Sequence, residues 1–203
     1  MQPLPIGEAL WHKKGAMAHM KVRRAPPPLN QSALEELALH YVGRYATTRA
    51  KLRTYLARKV RERGWDGGRE ADLRALADRF AELGYIDDAS YALAKSRTLS
   101  ARGYGKRRLA EKLHQAGVSE DDGQAAFDAA DTEQVDAALR FARRRRIGPF
   151  AAAVADRPDR EKWIAAMVRA GHCFGLARAI ASLAPGAEID PANLSESSRF
   201  DAH

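Results

Sequence analysis

One cysteine, Cys173, is all that the 203 residues contain, so the chain can build neither an intrachain disulfide framework nor a thiolate zinc cluster. Isoleucine and valine are sparse beside alanine, leucine, arginine and glutamate, and aromatic residues make up only 7% of the chain. That balance favours helix over sheet and predicts an all-helical protein. No apolar run approaches the roughly 18 residues of a membrane span, and nothing resembles a secretory leader. The expectation is therefore a cytoplasmic protein without membrane contact. Signals for catalysis are equally thin. Gly103-Tyr104-Gly105-Lys106 lacks the spacing and the preceding strand of a phosphate-binding loop. His172 and Cys173 are neighbours in sequence, but a Cys/His pair works through spatial approach and a third orienting group. Ser119-Glu120-Asp121-Asp122 fits a helix-start cap better than a metal loop, because no oxygen-rich ligand spacing follows. No catalytic, cofactor or metal site is expected.

Charge is what the chain has in quantity. Lysine and arginine number 34 against 26 acids, a formal net charge of +8, and the pI is near 9.8. An anionic partner follows from the excess, although both signs are present throughout. Residues 1–33 carry Lys13, Lys14, Lys21, Arg23 and Arg24 against the single acid Glu8 and end in Pro26-Pro27-Pro28. They read as a disordered basic arm; a transit peptide, or a true start at Met17 or Met20, is the alternative.

From Leu34 onward the pattern is periodic. Leu34, Leu37, Ala38, Tyr41 and Tyr45 define a first amphipathic helix, and Thr47 or Thr48 can cap a second that carries Leu52, Leu56 and Val60. Leu73, Leu76, Ala77, Phe80 and Leu83 mark a third. The stretch from Leu83 to Val118 then shows how the helices are punctuated. Gly84, Gly103 and Gly117 can each take the left-handed conformation that ends a helix, with the next apolar residue folding back. Asp87 or Asp88 can cap the helix between. The three-helix pattern recurs. Leu52, Leu56 and Val60 correspond to Leu109, Leu113 and Gly117, and then to Trp163, Met167 and Gly171. Leu76-Ala77, Phe80 and Leu83 correspond to Leu176-Ala177, Ile180 and Leu183, with Phe127 and Ala130 in the middle copy. Val135, Ala138, Leu139 and Ala142 point inward from the first helix of the last copy. The fold predicted is an all-α, elongated solenoid of three tandem three-helix repeats over 34–86, 87–131 and 132–184, with nine helices. A flexible C-terminal tail over 185–203 completes it.

The run Leu83-Gly84-Tyr85-Ile86-Asp87-Asp88, Tyr91-Ala92, Arg97, Arg102-Gly103-Tyr104-Gly105-Lys106-Arg107-Arg108-Leu109, Leu113 and Gly117-Val118 resembles the signature of the RecX family. Phe141 to Pro149 and Arg160-Glu161-Lys162 resemble the opening of that family's third repeat, and the likeness covers about residues 34–183. It implies a solenoid that binds RecA filaments and restrains recombination and the SOS response, without catalysis. Three features depart from the family pattern: the Gly-rich segment from Gly64 to Glu70, His172-Cys173 after Gly171, and the long basic arm.

Candidate contacts for RecA or for DNA phosphate are Lys95, Arg97, Arg102, Lys106, Arg107 and Arg108 around the central turn, and Arg143, Arg144, Arg145 and Arg146 at a helix end. Consecutive residues on a helix do not share one face, so a solvated helix end is an equal alternative for any one of them, while contact with an anionic partner is favoured for the set. Seven acids between Glu120 and Asp136, with no base among them, suggest an electrostatically lopsided molecule. Two functions fit: a RecA-filament regulator, which the resemblance favours, and a sequence-independent module that grips single- or double-stranded DNA through basic helices. A monomer is expected.

Overall fold

The computed structural model describes residues 27–199, which hold ten α-helices, one 3-10 turn and no strand. The first repeat consists of α1 (Gln31–Arg44), α2 (Arg49–Arg63) and α3 (Leu73–Glu82). The second has α4 (Asp88–Ala101), α5 (Lys106–Ala116) and α6 (Glu120–Thr132), and the third α7 (Gln134–Arg145), α8 (Arg157–Arg169) and α9 (Phe174–Ser182). The 3-10 turn (Gly148–Phe150) lies between α7 and α8, and α10 (Pro191–Arg199) follows α9. The all-α solenoid of three tandem three-helix repeats is the architecture observed.

Each repeat buries its own apolar cluster. Leu34, Leu52, Leu56, Leu76 and Phe80 form the first, Ala92, Leu109, Leu113, Ala126 and Ala130 the second, and Val135, Ala138, Phe141, Met167, Leu176 and Ile180 the third. These are the inward positions of the periodic pattern, since residues three and four apart share a helix face. Leu83 is an exception. It is the C-terminal cap of α3 and is 59% exposed, because the stripe ends one turn earlier at Phe80. Tyr45, at the end of α1, is 51% exposed for the same reason.

The helix stops form as their residues dictate. Gly84, Gly103 and Gly117 have φ of 77°, 73° and 67°. In each case the amide of the next residue donates back into the helix: Tyr85 to the Phe80 carbonyl, Tyr104 to Leu99 and Val118 to Leu113, at 2.9, 2.9 and 3.1 Å. These bonds satisfy carbonyls that a helix end would otherwise leave unpaired. The Gly-rich segment after α2 folds around Trp65, whose indole N–H donates to the Arg69 carbonyl at 2.6 Å.

Residues 27–33 and 189–199 depart from expectation, while 200–203 of the expected tail lie outside the described residues. Residues 1–26 of the basic arm lie outside the described residues, but 27–33 belong to the first repeat. Asn30 caps α1 by accepting the Ala33 amide at 2.9 Å, and Leu29 is fully buried, its backbone paired with Gly64 and Asp66. The flexible tail expected over 185–203 is corrected for 189–199. Leu194 is 4% exposed in the third cluster, and Ile189 packs beside it, so α10 docks on α9 and makes a tenth helix. A single leucine in a polar stretch left too weak a periodic signal to reveal it.

Adjacent repeats meet through one junction used twice. The cap of α2, Thr48, donates its hydroxyl to the Ala116 carbonyl at 2.6 Å, in the last turn of α5. The cap of α5, Gly105, donates its amide to the Ala170 carbonyl at 3.0 Å, at the end of α8. Thr48 and Gly105 hold equivalent places, as do Ala116-Gly117 and Ala170-Gly171. The fit is closest at the second junction, where a Cβ on Gly171 would lie 2.5 Å from the Arg108 amide nitrogen, and one on Gly105 would lie 2.2 Å from the Gly171 carbonyl oxygen.

Candidate partner-binding surfaces

The C-terminal ends of α4 and α7 converge. Arg144 donates to the Arg102 carbonyl at 2.7 Å and Arg140 to the Ser100 carbonyl at 3.2 Å, so two guanidinium groups of the third repeat cap a helix of the second. A cation at a helix C-terminus also meets the negative end of the dipole. Arg144 is thereby tied into the junction. Arg143 lies over the Phe150 ring at 5.0 Å, and Arg145 is 6.0 Å from the Phe141 ring. Arg146 ends α7 in the left-handed region with φ of 55°.

The remaining candidates divide into engaged and open residues. Lys106 pairs with Asp131 of α6, Arg108 with Glu111 at 2.7 Å, and Lys95 lies 5.5 Å from the Tyr91 ring. Among the described residues no carboxylate comes within ion-pair distance of Arg97, Arg102, Arg107, Arg143, Arg145 or Arg146. Neutralisation inside the fold also answers the acidic stretch. Asp122 meets Arg49 at 2.7 Å, Asp131 meets Lys106, and Glu133 comes within 3.8 Å of Arg140. Three of the seven acids that look unopposed in sequence therefore face bases, two of them on other helices, and the lopsidedness is smaller than the linear pattern suggests.

His172 is buried at the second junction, where its Nε2 lies 3.1 Å from the Gly103 carbonyl oxygen and its ring 5.7 Å from that of Phe141. Desolvation pushes its pKa down to about 4, against a smaller upward pull from the Gly103 carbonyl, so the ring is neutral and Nε2 donates. Cys173 is half-buried against the third cluster at the start of α9. No group of three or more His, Cys, Asp or Glu residues placed to hold a metal ion occurs among the described residues. No helix among them is long and apolar enough to cross a membrane.

A second basic surface escaped the sequence reading. Helix α2 carries seven cations and one acid, Glu62. It packs beside α1 so that Tyr41 and Tyr55 stack with ring centroids 4.2 Å apart. Tyr45 tilts against Tyr41 at 5.3 Å. These rings and the cations Arg44, Lys51, Arg58 and Lys59 line a groove of about 840 Å³, closed at one side by the last turn of α5. In sequence the cations of α2 simply surround its apolar stripe, with Tyr55 among them; only the packing of α1 on α2 brings Tyr41 and Tyr45 alongside.

Three stacked three-helix repeats bearing two basic surfaces define a basic helical-repeat protein. The profile described as RecX, second three-helix domain, matches residues 87–126. Regulatory protein RecX of Myxococcus xanthus is 34% identical over 165 residues, covering 77% of this chain and 88% of that protein. Its namesake in Thermobifida fusca is 33% identical over 181 residues, covering 82% and 92%. The crystal structure of RecX from Lactobacillus salivarius superposes with a TM-score of 0.58 at 19% identity, over 73% of this chain and 92% of that one, and shares the fold. The chain belongs to the RecX family of regulatory proteins.

Proposed function

We propose that the protein is a non-catalytic, cytoplasmic regulator that binds RecA recombinase filaments and restrains their ATPase, recombination and SOS-related activities. Membership of the RecX family carries this reading. Its physical support is the repeat array. Equivalent junctions place like elements at successive positions along the solenoid, which suits contact with successive protomers of a helical filament. Arg97, Arg102, Arg107, Arg143, Arg145 and Arg146 are the exposed cations left for such contact. Co-sedimentation with RecA filaments on single-stranded DNA tests it, with retention of the protein in the pellet expected at salt that releases it from naked DNA. A sequence-independent nucleic-acid module is the second reading, favoured by the acid-free groove beside α2.

A further inference from the structure

We propose that the groove between α1, α2 and the end of α5 is a binding site for a single strand of nucleic acid, held by phosphate contacts to α2 and by stacking of a base on tyrosine. This goes beyond the RecA reading and stands without it.

Three observations converge on that chemistry. None of the residues lining the groove is acidic, while Arg44, Lys51, Arg58 and Lys59 all line it. The nearby Glu62 is shared between Arg58 at 2.7 Å and Lys59 at 2.8 Å, so one carboxylate serves two cations and leaves net positive charge. The second observation is the aromatic series. Tyr55 and Tyr41 stack on each other and Tyr45 continues from Tyr41, so the three rings run from the half-buried interior to a lip where Tyr45 exposes half its surface. An exposed tyrosine beside a packed pair offers a ready stacking surface, and it adjoins cations that can reach the flanking phosphates. The third is the rigidity of the wall. The last turn of α5 is pinned by the Thr48 hydroxyl on the Ala116 carbonyl, and Gly117 sits so close that a Cβ there would lie 2.3 Å from the Ala50 side chain. The groove is thus built jointly by two repeats.

The combination selects a single strand. In a duplex the base faces are stacked on one another, so the tyrosine lip would add nothing to phosphate contacts. An acidic peptide would use the cations but not the ring series.

The test measures anisotropy of a fluorescein-labelled oligothymidylate of about 20 nucleotides with the full chain, in the absence of RecA, so that its outcome is independent of the RecA reading. Tyr45→Ala should weaken binding about tenfold, as loss of one base stack does, and Tyr45→Phe should restore it. An abasic oligomer of equal length should bind native protein and Tyr45→Ala alike. The double variant Arg58→Gln/Lys59→Gln should weaken both oligomers and lower the salt slope by about 1.4. Tyr45 and Arg58 are exposed and Lys59 is half-buried, and circular dichroism checks that each variant folds. Native affinity for oligothymidylate in both Tyr45→Ala and the double variant would overturn the proposal. So would a loss in Tyr45→Ala that is equally large on the abasic oligomer or on a 20-base-pair duplex, which would reduce the site to a phosphate contact. Thymidine monophosphate competing as well as the oligomer would make it a mononucleotide site instead, and stronger competition by polyglutamate would reassign it to an acidic peptide.

Discussion

The carboxylate of Asp88 accepts the backbone N–H of Arg49 at 3.0 Å and the Arg49 Nε–H at 3.2 Å, across the boundary between the first and second repeats. Asp88 therefore caps a helix in the preceding repeat, while its neighbour Asp87 caps α4 by accepting the Ser90 amide at 2.8 Å. Arg49 reaches on to Asp122, so three helix starts share one ionic knot. The hydrogen bond to Asp88 raises the Arg49 pKa further, with the charges of Asp88 and Asp122 adding to it against some desolvation.

Asp88→Ala should destabilise the chain by about 2–3 kcal/mol. The aspartate side chain is 3% exposed and the arginine 38%, which places the loss below that of a fully buried pair. Urea unfolding measures it. A change under about 0.5 kcal/mol would show that the knot adds nothing to the junction.

Glycines should divide by what surrounds them. Gly171 has φ of 97° and no room for a Cβ, so Gly171→Ala should cost about 3 kcal/mol or more and loosen the second junction. Gly84, with φ of 77° and nothing within 4 Å of its would-be Cβ, should cost only the left-handed strain of about 1–2 kcal/mol on the same change. Thermal melts of the two variants in parallel check the order, and equal losses would contradict the close approach.

His172 sets a pH dependence. Its folded pKa of about 4 lies below the ordinary 6.5, so the unfolded chain binds the proton more readily. Stability from this group is complete above pH 6.5 and is lost as pH falls toward 4, by about 3 kcal/mol at pH 4. Comparing native protein with His172→Gln between pH 7 and 4 isolates it from the carboxylates. The variant should show the shallower fall; parallel curves would mean that His172 protonates without cost.

Leu194→Ala should release α10, costing about 2–4 kcal/mol and exposing the amides of 191–199 to rapid hydrogen exchange, because Leu194 anchors that helix in the third cluster. Leu83→Ala, at an exposed cap, should stay within about 0.5 kcal/mol of native. Unchanged protection across α10 in the first variant would contradict its docking through Leu194.

Much of this architecture was legible because helix boundaries are local chemistry. Gly84, Gly103 and Gly117, each followed by an apolar residue, announce left-handed stops, and Thr48 and Ser119 announce starts; all five act as their types dictate. What the sequence did not reveal depends on distant pairings. Nothing local says that Asp88 caps α2 rather than α4, or that Arg144 spends its guanidinium on the Arg102 carbonyl. Runs such as Lys106 to Arg108 and Arg143 to Arg146 are visible along the chain, whereas cations gathered from separate helices are not. The groove beside α2 needed Tyr41 and Tyr45 of one helix to meet Tyr55 of another, a relation that spacing alone does not carry.

RecA's DNA-dependent ATP hydrolysis on single-stranded DNA, followed as the protein is added far below one molecule per RecA, tests the regulatory account most directly. One molecule that spans several protomers or blocks a growing end should depress hydrolysis at such ratios. A variant with Arg97, Arg107, Arg143, Arg145 and Arg146 neutralised should lose that effect while remaining folded. Inhibition that appears only when the protein saturates the DNA, and that tracks naked-DNA affinity across a salt series, would contradict a filament regulator and leave a nucleic-acid binder.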